Sequence, residues 1–235
     1  MARMDPVARR ARILEAGRAV ALRQGLAATT VRDIAAEMGS SPGLVHHYVD
    51  SMDGLLAEVF ELVAREGLET TRAAVASSGS PCEALRAFFS TSLRPGHGTA
   101  FQLWLDAWAE AARRPELGAT SRRLNIEWQS VLVGIIEDGV AAGEFRCAEP
   151  ESAAWRLLSL LDGLVLQMVA HDISFSDDDV MTWVAGSAER ELGLAPGALM
   201  HPDAVLRLAP DRSSTPSTSS TPATSHTRSP SEAAS

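Results

Sequence analysis

Lysine is absent from the chain, and all 21 of its fixed side-chain cations are arginines. Arginine suits bidentate contacts to phosphate and guanine, but genomic base composition is the simpler account, so this absence assigns no function by itself. Cysteine is scarce. Cys82 and Cys147 stand far apart with no CxxC pair, which excludes a disulfide framework and a zinc site and fits a reducing compartment. No apolar run reaches transmembrane length, and the N-terminus lacks the apolar core of a signal peptide. A soluble, cytoplasmic protein with no membrane partner is therefore expected. Catalytic patterns are missing as well. His46 and His47 are adjacent rather than spaced for zinc on a helix, no Ser/His/Asp arrangement can be read out, and no glycine-rich phosphate loop follows a strand. An enzyme is the least favoured reading, with no metal and no cofactor expected.

What is present is 235 residues, 46% of them hydrophobic, enough for one or two domains with real cores. The net charge of −9 looks wrong for a nucleic-acid binder until it is divided along the chain. Residues 1–50 hold seven Arg against five Asp and Glu, and the remainder holds fourteen against twenty-five. The one basic end coincides with the most informative stretch, residues 30–48, TVRDIAAEMGSSPGLVHHY. Thr30 is a good N-cap and Asp33 completes an acidic capping box. Val31, Ile34, Ala35 and Met38 share one helical face, and Gly39 supplies a left-handed end. Ser41 caps a second helix, and Pro42 takes its first position, where a missing N–H costs nothing. This is the layout of a helix-turn-helix. Ser41 and Gly43 would let the second helix approach a DNA groove closely, with His46, His47 and Tyr48 following.

The same residues carry a family resemblance. Thr30-Val-Arg-Asp-Ile-Ala, Met38-Gly-Ser-Ser-Pro-Gly-Leu-Val-His-His-Tyr and Gly54-Leu-Leu together resemble the tetracycline-repressor (TetR) family of one-component regulators. Gly43, His47, Tyr48 and Gly54-Leu55-Leu56 are most similar to its choline-sensing branch, the repressors of betaine synthesis. The match covers roughly residues 8–60. It implies an all-α, TetR-like fold of about nine helices: a three-helix DNA-binding head at residues 7–60, a long connecting helix, and a ligand-binding and dimerisation body at residues 61–200. It further implies Arg10, Thr30, Ser41, Pro42, Gly43, Leu44, His46, His47 and Tyr48 at the DNA. Three positions depart from the family pattern: Ser40 in the turn, Val49 after Tyr48, and Met52 where a lysine usually meets phosphate.

Along the chain, a helix is expected from Val7 to about Gln24, with Ile13, Ala16, Gly17, Val20 and Ala21 inside, preceded by a short arm bearing Arg3. The connecting helix should run from Asp50 or Ser51 to about Ser77. Pro81 starts a helix to Leu93 with Leu85, Phe88 and Phe89 inward, and residues 94–98 read as a loop. From Thr99 or Ala100 to Arg113, Phe101, Trp104, Leu105, Trp108 and Ala112 should form the inner face, leaving Gln102, Asp106 and Glu110 outside. Helices then run from Glu116 to Ala142, from Glu149 or Pro150 to His171, and from Ser176, whose capping box is closed by Asp179, to Gly193. No strand-like alternation of useful length is present. Residues 201–235 are rich in Ser, Thr, Pro and Ala, and disorder is expected there.

Two features of the body carry chemistry. The helix ending at His171 is apolar on two rows, Ala154-Leu157-Leu161-Leu164-Met168 and Trp155-Leu158-Asp162-Val165-Val169. One row should enter the body and the other a second subunit, giving a four-helix homodimer interface with the last helix. All five tryptophans lie outside the head. Trp104, Trp108, Trp128 and Trp155, with Phe88, could converge on a pocket, and Asp162 is the candidate counter-charge. Such a cage recognises quaternary ammonium groups, although tryptophans at helical spacing are also ordinary core and a neutral or aromatic ligand fits equally well. The expected protein is a ligand-responsive repressor that binds double-stranded operator DNA as a dimer and is released by a small-molecule effector, choline- or polyamine-like. A helical ligand-binding dimer that has lost operator binding is the alternative.

Overall fold

The structure, a computed structural model, describes residues 5–93, 97–171, 173 and 175–200. The arm with Arg3, most of the loop at 94–98 and the segment 201–235 lie outside the described residues. Nine α-helices and no strand occur among the described residues: α1 (Pro6–Gln24), α2 (Val31–Glu37), α3 (Pro42–Tyr48), α4 (Met52–Ala76), α5 (Pro81–Ser92), α6 (His97–Glu110), α7 (Pro115–Ala141), α8 (Pro150–His171) and α9 (Asp177–Glu191).

Local chemistry sets most boundaries. Thr30 and Asp33 close the expected capping box on α2, and hydrogen bonds from Thr30 hold the Asp33 carboxyl below its usual range. Ser41, Ser51 and Ser80 cap α3, α4 and α5 through the amides of Leu44, Gly54 and Glu83. Ser176 and Asp179 do the same for α9. At α7 the cap comes from elsewhere in the chain. Arg114 offers no side-chain bond, and Asp53 of α4 accepts the amides of Glu116 at 3.1 Å and Leu117 at 3.3 Å. The first turn of the connecting helix is thereby tied to α7.

Two cores result. The upper one joins Ile13, Val20, Leu26, Ile34, Val45, Leu56, Val59 and Phe60 to Leu103, Ala107, Leu117 and Leu124, so it crosses the domain boundary expected at residue 60. The lower one packs Leu85, Phe88 and Phe89 against Leu132, Ile136, Leu157, Leu161, Val180 and Val184. Burying each such side chain contributes about 1.5–3 kcal/mol. Contact between α1 and α4 is close enough that a β-carbon on Gly17 would meet Val59 at 2.7 Å.

The body corrects several expectations. α6 begins at His97 and ends at Glu110, and its buried residues are Leu103 and Ala107, while Leu105 is half-buried and Ala112 exposed. It packs on two sides, so no single inner face exists. On α8, Ala154, Leu157, Leu158, Leu161 and Val165 are buried together, drawing from both expected rows. The outward stripe is instead Trp155, Ser159, Gly163 and Ala170. By length and composition α8 would suffice to cross a membrane, with a mean hydropathy of 1.4, which corrects the expectation that no run does. A soluble helix enclosed on two sides passes the same test.

Arginines and glutamates stitch α4 to α7. Arg65 grips Glu127 with two hydrogen bonds of 3.0 and 3.1 Å, Arg72 adds a third, and Arg123 reaches Glu61 at 2.9 Å. The Arg65 bonds, with Arg72 behind them, pull the Glu127 carboxyl down to about 2. Because the folded value lies below the ordinary one, this stabilisation is complete above about pH 5 and is lost as pH falls toward 2. Glu127→Gln is expected to cost up to about 1 kcal/mol at neutral pH, the partial exposure limiting it. Thermal melts of the two proteins should converge as the pH is lowered through that window.

Candidate DNA-reading face and effector cavity

The helix-turn-helix presents one face outward. Thr30, Ser41, Pro42, Gly43, His46 and His47 are exposed, Leu44 and Tyr48 are half-buried, and Val45 alone in α3 is fully buried and anchors it. The His47 and Tyr48 rings meet edge to face at 5.1 Å. Arg10 sits behind the end of α3, donating to the Tyr48 carbonyl at 2.6 Å and pairing with Glu58 of α4. It braces the recognition helix against the connecting helix. The three departures from the family pattern fit the fold, though Met52 supplies no cation for phosphate: the Ser40 hydroxyl donates to the Ala35 carbonyl at 3.5 Å, and Val49 and Met52 pack against the upper core.

The second site lies inside the body. α4, α5, α6, α7 and α8 enclose a cavity whose free space is about 140 Å³. Trp104 and Trp108 of α6 and Trp128 of α7 line it, as expected, with Asp162 of α8. Sequence reasoning missed Phe60 and Gly67 of α4, Phe101 of α6 and Asn125 of α7. Phe101 was legible in principle, three residues before Trp104 on one helical face. The rings form a connected set: Phe60 to Trp104 at 4.8 Å, Trp104 to Trp108 at 5.8 Å and Phe101 to Trp108 at 5.8 Å.

Two expected members do not line it. Trp155 is 39% exposed, two turns before Asp162, because seven residues carry it about 10 Å along the helix axis. Phe88 is fully buried behind the wall, with its ring 5.8 Å from Trp128.

The polar groups of the cavity are unusual. Asp162 forms no hydrogen bond or ion pair among the described residues, and burial pushes its carboxyl up to about 7. The Trp128 indole Nε1–H is buried without an acceptor among the described residues. Among the described lining residues there is no arginine, lysine or histidine.

Comparison with known proteins settles the family. The model for bacterial regulatory proteins of the tetR family matches residues 13–59, and the model for the BetI-type transcriptional repressor C-terminal domain matches residues 81–193. The HTH-type transcriptional regulator BetI of Paraburkholderia xenovorans is 32% identical over 166 residues, spanning 68% of this chain and 80% of that one. This chain belongs to the TetR family. Its C-terminal domain is of BetI type, and it is a DNA-binding transcriptional regulator of a repressor family. Among solved TetR-like structures, a transcriptional regulator from Saccharomonospora viridis in complex with choline superposes with a TM-score of 0.72 at 25% identity, over 80% of this chain and 98% of that one. A transcriptional regulator from Pseudomonas aeruginosa PAO1 does so with a TM-score of 0.69 at 28% identity, over 80% and 92%.

In this TetR-family body the burial of Asp162 carries a cost. The folded pKa of Asp162 lies above its ordinary value, so the penalty is absent below about pH 4, grows as pH rises, and is complete above about pH 7. Asp162→Asn should therefore raise the melting temperature at about pH 8, by roughly 2–4 °C per kcal/mol relieved, and progressively less toward pH 4. Differential scanning calorimetry across that range checks the sign.

Proposed function

We propose that this protein is a homodimeric, cytoplasmic repressor that binds a palindromic operator and is released by a small organic cation of the choline type. The observation that carries the effector reading is the cavity: tryptophan and phenylalanine rings around one carboxylate that has no partner among the described residues, with no basic side chain among the described lining residues. Aromatic faces attract a quaternary ammonium through the ring quadrupole, and Asp162 neutralises it once ionised. The orphan Trp128 N–H and the Asn125 amide suit a hydroxyl or carbonyl at the other end of the ligand. Size points the same way. A cavity of about 150 Å³ accepts a molecule the size of benzene, so 140 Å³ favours a ligand as small as choline over a long polyamine. The choline bound by the Saccharomonospora viridis neighbour supports this class.

Release follows from what the ligand touches. Phe60, Val63, Ala64 and Gly67 of the cavity wall belong to α4, whose other end carries the head. A ligand that fits better with α4 displaced shifts the population toward a spacing that no longer matches the operator. The outward stripes of α8 and α9 support the dimer. Trp155, Ser159, Gly163 and Ala170 of α8 and Trp183 and Arg190 of α9 are all exposed, combining indoles with residues small enough for helices to approach. Two recognition helices held roughly 34 Å apart would then read successive major grooves. In this reading His46, His47, Leu44 and the Gly43 backbone meet base edges, Thr30, Ser41, Pro42 and Tyr48 meet the phosphate backbone, and Arg10 acts from behind through its bond to Tyr48.

Two outcomes are expected. His46→Ala should cost about 1–3 kcal/mol on the preferred duplex and little on random DNA, whereas Tyr48→Ala should weaken both alike, as measured by fluorescence anisotropy. Asp162→Asn should weaken choline binding, followed by tryptophan quenching, by about tenfold or more, the loss of a buried ion pair. Its operator binding should stay intact. Unchanged choline affinity in Asp162→Asn would remove the carboxylate from the site.

A further inference from the structure

α6 has a second polar feature, on the face opposite the cavity. Asp106 lies two residues from both Trp104 and Trp108, and its Oδ2 accepts the backbone N–H of Leu26 at 2.7 Å. Gln102 donates to its Oδ1 at 3.2 Å. Leu26 is fully buried and sits in the turn between α1 and the helix-turn-helix, immediately after Gly25. The fit there is tight. Gly25 has φ +85°, and a β-carbon on it would lie 2.6 Å from Asp106 Oδ2, so glycine alone lets the carboxylate reach the amide without strain. Leu103 and Ala107 flank the contact and enter the upper core with Leu26.

Several polar contacts tie the head to the body, Arg18–Glu66 and Ser51–Glu116 among them, and in two of them a carboxylate accepts backbone amides. One joins Asp53 to the first turn of α7, where the nearest cavity residue of that helix, Asn125, is eight residues on from Leu117, about 12 Å along its axis. The other is Asp106, which shares a single helical turn with two tryptophans of the cavity wall. A carboxylate–amide bond is charge-assisted and about twice as strong as a neutral one, and it fixes a point rather than a surface.

We propose that the Asp106–Leu26 clasp sets the orientation of the DNA-reading head on the body and carries displacements of the Trp104–Trp108 wall to it. Asp106 touches neither DNA nor effector and is a positioning residue. The transmission half rests on the effector reading above, and the orientation half does not.

The test uses the full chain, choline chloride, and the duplex that the wild-type protein selects from a random pool. Asp106→Ala should bind that duplex about tenfold more weakly or worse, the loss of one charged hydrogen bond, with helicity and oligomeric mass unchanged. Asp106→Asn retains an oxygen acceptor and should stay within about threefold of wild type. Gly25→Ala, which forces the clasp apart from the other side, should reproduce the alanine phenotype. Choline should still quench Asp106→Ala tryptophans with near wild-type affinity, while its effect on duplex affinity shrinks by about fivefold or more. Equal duplex affinity for Asp106→Ala and wild type would overturn the proposal. So would loss of the folded protein in Asp106→Ala, since the contact would then be structural. If choline fails to bind the wild type, the effector reading falls, and the duplex affinities still decide the clasp.

Discussion

Everything in the protein depends on α4 being buried at both ends. Its 25 residues span about 37 Å. Leu55, Leu56, Val59 and Phe60 belong to the upper core with the helix-turn-helix, and Leu68 and Thr71 are buried lower in the body. A rod held this way cannot move at one end alone. Asp53 locks its first turn to α7, and the Arg65–Glu127–Arg72 cluster locks its middle to the same helix. These polar contacts are partly exposed and individually weak. They fix the register of the rod, while its apolar stripe supplies the stability.

The cavity is where this packing is left incomplete. Close-packed cores hold few voids, yet here a space lined by Gly67 of α4 and Trp128 of α7 remains between the helices. A half-buried carboxylate and a buried indole N–H are left unpaired in the wall. Burying those groups without partners costs stability, and the two cores around them offset that cost. Such a site gains the most from a ligand that brings both a positive charge and an acceptor.

Much of the fold was legible because it is written in local chemistry. The Thr30–Asp33 and Ser176–Asp179 boxes, Ser41-Pro42, and the left-handed glycines at 39, 143 and 193 follow from neighbours a few residues apart. The cavity was legible only in part. Helical spacing placed Trp104, Trp108 and Trp128 inward, but it cannot say which neighbour a face meets, nor how far along an axis a pocket extends. Trp155 was misplaced for that reason, and Asp106 read as a solvated outer residue because its partner, the Leu26 amide, is eighty positions away. The two rows of α8 failed likewise: a helix enclosed by α6, α7 and α9 buries more than one stripe, and only the packing reveals which stripe is left facing outward.

The central claim is that charge, held between the rings and Asp162, is what drives release. It is tested most directly by titrating the operator-bound wild-type protein at about pH 8, above the Asp162 pKa, with choline and with its neutral isostere, in which a tert-butyl group replaces the trimethylammonium. Fluorescence anisotropy of the labelled duplex reports release. The account predicts that choline frees the DNA at concentrations at least about tenfold lower than the isostere, as loss of a buried charge pair requires. Equal potency of the two, or release by the neutral compound alone, would contradict it and leave an apolar pocket in which Asp162 has no part.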